Sequence, residues 1–313
     1  MIPSLKVSPG FCIISENQQE IFNWNFCTKI YRINGERDKQ KVATMEIVKV
    51  SMVGANENLS VKDVLDFLLK NPMAEIGIGI SREKGAFNTP RFNWVMRLQR
   101  GYEEIVENGR RKIGRVGLHI NGKNAPYTEK PYPLMIIDDA KIPDTLRILS
   151  RDWRVTFQLN FSNYKINHAD IYSAARCLGE TGQTIVIPYN HKTQEYVFEF
   201  VHSFRRRYNS ECGGIPLQIL YDSSFGNGKS AIDYKQPVFG GIVQGYTGGF
   251  RVDNIQQELD KISAVQTCHD AKIYIDAESG LSGEQNTIDL NKADAFCKNV
   301  MDWVKTRQEK IKS

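Results

Sequence analysis

Long apolar runs are missing from this chain of 313 residues. No stretch of about 18 apolar residues occurs, so nothing reads as a membrane-spanning helix. The opening, MIPSLKVSPGFCIIS, lacks the extended apolar core of a secretory leader, and the expectation is a cytoplasmic protein. A strong charge of one sign is missing too. Forty-one Lys and Arg against 36 Asp and Glu leave +5, too mild a surplus to direct the chain to nucleic acid. Cysteines are few and scattered. Cys12, Cys27, Cys177, Cys212, Cys268 and Cys297 share no zinc-knuckle or redox-pair spacing, so six reduced thiols are expected and neither a metal nor a cofactor is.

What is present is an ordinary globular composition, 41% hydrophobic and 25% charged, long enough to bury a large core. From residue 46 onward, short β-branched or apolar runs recur: Glu46–Ser51, Glu75–Ile80, Gly114–Ile120, Arg154–Leu159, Thr184–Ile187, Pro216–Tyr221, Gly240–Gln244 and Lys272–Asp276. Helical patterns fill most gaps, at Val61–Lys70, Phe92–Glu107, Ala169–Leu178, Glu195–Tyr208, Val252–Ile262 and Leu290–Thr306. Strands that alternate with helices pair in parallel. Eight such units predict an α/β fold, a closed TIM (β/α)8 barrel over residues 45–313, with an open doubly wound sheet as the alternative. Residues 1–44 stand outside the rhythm and are expected to form an N-terminal extension.

A barrel of this kind carries its chemistry at the C-terminal ends of the strands. The residues at those ends include Ser51, His119, Asn160, Asp222, Asp276 and Glu278. Two glycine-rich stretches follow the last two strands, Tyr246–Phe250 and Asp276–Leu281. Backbone N–H groups in such loops can approach an anion closely, so a phosphorylated small molecule is the expected ligand. Gly228-Lys229-Ser230 ends like a phosphate-binding nucleotide loop, but serine at 223 breaks that pattern. Lys49 and Lys272 lie in strands, yet a Schiff-base lysine needs an apolar, desolvated pocket that the sequence does not establish.

These residues together resemble the phosphoribosylanthranilate isomerase family of (β/α)8 enzymes. Tyr221-Asp222 followed by Gly226-Asn227-Gly228-Lys229 and Asp233 is similar to the family's LLD…GGTGK…DW segment. Gly245–Phe250 with Asp253-Asn254 is similar to AGGL.PENV, and Ile275–Gly280 to VDVSSGVE. Thr89-Pro90-Arg91 is similar to SPR, and Phe157-Gln158-Leu159 to part of VQLHG. The resemblance implies an Amadori rearrangement, in which an N-linked ribose phosphate becomes an open-chain ketose amine. It implies Asp222 as general acid, Gly248, Gly249, Ser279 and Gly280 around the 5-phosphate, and Arg91 near the substrate's carboxylate.

The family's general base is a cysteine just after the first strand, and here Lys49-Val50-Ser51-Met52 stands in its place. A serine hydroxyl cannot take a carbon-bound proton unaided at neutral pH. His119 and Glu278 are the candidate replacements. The second function expected of such a chain is a barrel that has lost catalysis and binds a phosphorylated ligand as a binding or interaction module. A thiol-specific label applied after unfolding, without prior reduction, is expected to modify all six cysteines. Fewer labelled sites would mean a disulfide and overturn the reading of reduced thiols.

Overall fold

A strand that runs parallel to its predecessor needs a long crossover to return, and the apolar runs are spaced for one. The computed structural model describes residues 45–80, 89–109, 112–121, 155–160, 183–208, 217–222, 229, 231, 233–266 and 271–312. The extension and the expected helix Ala169–Leu178 lie outside these residues. The strands are β1 (Met45–Ala55), β2 (Ala74–Ile80), β3 (Arg115–Asn121), β4 (Val155–Asn160), β5 (Thr184–Tyr189), β6 (Leu217–Asp222), β7 (Val243–Thr247) and β8 (Ala271–Ala277). All pair in parallel in chain order, and β1 pairs with β8 to close the barrel.

The described helices are α1 (Val61–Lys70), α2 (Pro90–Glu107), α3 (Gln194–Tyr208), α4 (Ile255–Ala264) and α5 (Leu290–Lys312). Their starts follow from capping chemistry. The Ser60 hydroxyl accepts the Asp63 N–H at the head of α1, and the Thr89 hydroxyl accepts the Phe92 N–H at the head of α2. Pro90 sits where its missing N–H costs nothing. Each helix turns an apolar face to the sheet: Val64, Leu65, Phe67 and Leu68 on α1, Phe92, Trp94, Val95 and Leu98 on α2. They meet the outward residues of the strands, such as Ile76, Ile78, Val116, Leu118, Ile273 and Ile275. Burying one such side chain contributes roughly 1.5–3 kcal/mol.

Two expectations are corrected. The run Gly240–Gln244 is not the seventh strand. Gly240 and Gly241 make a turn, with Gly241 at φ 78°, a left-handed conformation that glycine adopts without a Cβ clash. The strand starts at Val243, which brings Gly245 inside it and Gly248 just past its end. Ser51 does not end β1 either. The apolar alternation continues through Met52 and Val53, and the strand runs on to Ala55 past a bulge at Gly54, where φ is 122°.

Between β6 and β7 no helix occurs among the described residues. Tyr234, Phe239 and Ile242 cover the outside of the sheet there instead. Tyr234 stacks on Phe250 and meets Tyr246 edge-on, while its hydroxyl donates to Glu258 Oε2 at 2.6 Å. Pro188 is tolerated in β5 because the β4–β5 register ends at Val186, before it.

Inside the barrel, large side chains occupy space that inward glycines leave open. A Cβ on Gly77 would lie 2.8 Å from His119 Nε2, and one on Gly117 3.1 Å from Glu75 Oε1. A Cβ on Gly245 would lie 2.1 Å from Tyr274 Cζ, so the ring covers this glycine. Gly245→Ala is therefore expected to lower the denaturant midpoint, by roughly 1–3 kcal/mol of overpacking. Tyr274→Leu added to that variant should recover part of the loss. A Gly245→Ala chain as stable as the parent would contradict this packing.

Candidate active site

Alternation along a strand sends every second residue inward, and parallel register sets each beside its partner on the next strand. The lower part of the barrel interior holds an ion pair. Lys49 Nζ donates to Glu75 Oε1 at 2.8 Å, and Thr156 Oγ1 donates to Glu75 Oε2 at 2.6 Å. The two charged side chains are 1% and 2% exposed. The ammonium also lies 4.3 Å from the centroid of the Tyr274 ring. Burial pushes the Glu75 carboxyl up, but Lys49 and the two hydrogen bonds outweigh it and hold the group below the usual carboxylate range. Lys49 is thus a paired cation, and not the lysine in an apolar pocket that imine chemistry needs.

His119 rises beside this pair from β3. Burial holds its pKa down to about 4 against the attraction of Glu75, with Lys49 adding to the depression. The imidazole is neutral at neutral pH.

Above the pair, the register lines up a row of polar residues. Asp222 pairs with Thr247 across β6 and β7, Thr247 with Asp276 across β7 and β8, and Asp276 with Ser51 across β8 and β1. Asp276 is 4% exposed and Ser51 is 1% exposed. Burial pushes the Asp276 carboxyl up to about 7; Ser51 and Lys49 draw it down, and Glu278 and Glu75 oppose them. Asp276 Oδ1, Ser51 Oγ and the Tyr274 hydroxyl are buried without a hydrogen-bond partner of good geometry. Three such groups on the neighbouring strands β1 and β8 are a concentration of unmet bonding capacity. Glu278 stands above the row at the rim. The residue as a whole is exposed, yet its carboxyl is desolvated and faces Asp222, and both effects raise its pKa.

The two glycine loops flank the row. Gly248 and Gly249 follow β7 with φ of 125° and 63°, a path that suits glycine. The Asn254 side chain fixes this loop, donating to the Gly249 carbonyl at 2.9 Å and accepting the Arg251 N–H at 2.8 Å. Ser279 and Gly280 follow β8 in a single 3-10 turn. A Cβ on Gly280 would lie 2.1 Å from the Phe250 carbonyl oxygen, so the two loops are in direct contact. Among the described residues, the N–H groups of Gly248, Gly249, Ser279 and Gly280 donate to no turn or loop carbonyl.

The structure therefore brings together Asp222, Ser51 and Glu278, with His119 on the inward face of β3 and Gly248, Gly249, Ser279 and Gly280 in the loops past β7 and β8. Arg91 is engaged elsewhere. Its guanidinium pairs with Glu57 and donates to the Gly79 carbonyl at 2.9 Å. Cys297, on α5, is buried against Met52, and burial pushes its thiol up to about 12, so it is no substitute for the missing thiolate. Cys12 and Cys27 lie outside the described residues. Sequence reasoning named Asp276 as a strand-end residue without giving it a role. Its pairing with Ser51 is a property of register, and no local signal carried it.

No family model matches the chain, and no curated protein matches it in sequence. The barrel and the arrangement at its mouth are what bear on function.

The folded chain holds the Asp276 proton up to about pH 7, whereas an unfolded aspartate releases it near about pH 4. The native state therefore binds more protons between these values, and the contribution of this side chain is lost as pH rises through about 7. Asp276→Asn is expected to raise the melting temperature at about pH 8 and to change it less at about pH 5. Equal shifts at both values would show that the carboxyl is not held protonated.

Proposed function

We propose that the chain is an acid–base isomerase of a phosphorylated sugar, of the phosphoribosylanthranilate isomerase type, working in the cytoplasm. The observation that carries this reading is the inward row Asp222–Thr247–Asp276–Ser51, with two glycine loops in contact with each other directly past its middle members. A sugar phosphate offers both halves of what this arrangement suits. Its hydroxyls match Asp276 Oδ1 and Ser51 Oγ, which lack hydrogen bonds of good geometry, and its phosphate matches backbone N–H groups in the loops.

In this reading Asp222 protonates the furanose ring oxygen as the ring opens, and Gly248, Gly249, Ser279 and Gly280 receive the 5-phosphate. Arg91, tied to Glu57, serves the substrate's carboxylate only if that pair opens. The alternative is a barrel that binds the phosphorylated ligand without turning it over, and Ser51 at the thiolate's place is the observation in its favour.

Millimolar ribose 5-phosphate is expected to raise the melting temperature by mass action. Gly249→Asp should remove the shift by setting a carboxylate against the anion. Gly249→Asn adopts the same left-handed backbone without the charge and should keep at least part of it. A Gly249→Asp chain that responds to ribose 5-phosphate like the parent would sink the loop assignment. Turnover of phosphoribosylanthranilate by the native chain separates the isomerase from the pure binder.

A further inference from the structure

We infer that Asp276 is the group that takes up and returns the substrate's carbon-bound proton, in place of the thiolate that Ser51 has replaced. This rests on the isomerase reading above and names the base that the reading leaves open.

Position supports Asp276 over the other candidates. Its carboxyl is on the inward face of β8 at the level of Ser51, where a base attached to β1 would otherwise reach. It is 4% exposed, and Oδ1 has no hydrogen-bond partner. Ser51 Oγ, on the paired strand, makes no hydrogen bond of good geometry either, although its nearness favours the ionised carboxyl. His119 packs its Nε2 over Gly77, and its charged form is disfavoured. Glu278 lies at the rim beside Asp222, on the acid's side of the row. Moving the base from β1 to β8 brings it nearer to Asp222 around the barrel, with Thr247 alone between them in the row.

The step balances as follows. Asp222 gives its proton to the ring oxygen, the C1–O bond breaks, and the nitrogen lone pair forms an iminium with C1. Asp276 Oδ1 takes the proton from C2. The C2–H electron pair becomes the C1=C2 bond, and the iminium π pair returns to nitrogen. The enaminol ketonises as O2 loses a proton and C1 gains one. Loss of the Asp276 proton and uptake of one by Asp222 restore both groups.

Ionised Asp276 is the active form, so activity should rise with pH through a limb near about 7. Glu278 after β8, Lys49 on β1 and Glu75 on β2 are the charged groups that act on this carboxyl, and His119 on β3, Asp222 on β6 and Tyr274 on β8 are the other titratable groups on the inward faces around it.

The test measures turnover of phosphoribosylanthranilate against pH for the native chain, Asp276→Asn and Ser51→Ala, with ribose 5-phosphate binding followed by thermal shift in each. The expected result is native turnover, a loss of ~10²–10⁴-fold in kcat for Asp276→Asn, and a ribose 5-phosphate shift that persists in that variant through the loops. Ser51→Ala should move the limb to higher pH, because Ser51 favours the ionised carboxyl. A merely structural role for either residue would leave the limb in place. Native turnover with Asp276→Asn within about tenfold of it overturns the assignment of the base and leaves the isomerase standing. A native chain that binds ribose 5-phosphate but turns nothing over overturns the isomerase reading, and the base assignment with it.

Discussion

A closed parallel barrel confines the inward half of every strand to one narrow space, and the rest of this structure answers to that limit. Period-two alternation leaves no choice about which residues enter. Glycine at 77, 117 and 245 makes room for the imidazole of His119, the carboxylate of Glu75 and the ring of Tyr274. Each of these side chains comes from a neighbouring strand and lies across its partner's glycine. The interior is thereby filled by polar and ionisable groups where a more ordinary barrel stacks branched aliphatics.

Such an interior is costly unless its charges are matched. Lys49 and Glu75 lose nearly all their water, and the loss is offset by their mutual hydrogen bond, by Thr156 and by the Tyr274 ring. A buried pair of this kind adds little net stability, yet removing one partner costs ~3–5 kcal/mol because the other is left uncompensated. The pair also sets the electrostatics above it. The Lys49 charge draws the Asp276 carboxyl down and Glu75 pushes it up, and the two act on His119 in the same senses. Burial dominates each case, so the histidine stays neutral and the aspartate titrates close to neutrality.

At the mouth the same limits produce an order of environments. Glu278 and Asp222 face each other at the rim, Asp276 and Ser51 are enclosed below them, and the ion pair lies deepest. Burial raises the carboxyls of both Asp276 and Glu278 above the usual carboxylate range. The loops after β7 and β8 are held by short-range geometry, through Asn254 and through the close approach of Gly280 to Phe250. A further tie joins the end of β1 to the segment after β8, where Gly54 accepts from the Ile288 N–H and the Thr287 hydroxyl, and Asn56 donates to the Asn286 carbonyl. Chain ends far apart in sequence thus meet at one rim.

The sequence by itself determined the alternation of strands and helices, hence the parallel sheet and the count of eight. Those features follow from local periodicity and capping, as the hydroxyls of Ser60 and Thr89 illustrate. It also marked Asp222, Ser51, Glu278 and the glycine loops, because strand ends and Gly-rich turns leave local signatures. It misplaced the seventh strand, since Gly240 and Gly241 read as part of an apolar run until their turn geometry is seen. Only the tertiary structure decided that Asp276 lies level with Ser51, that Lys49 is paired rather than reactive, and that Arg91 is tied to Glu57. Register between strands 1 and 8 depends on closing the whole barrel, and the protonation of a carboxyl depends on everything packed around it. Neither quantity is carried by any short stretch of chain.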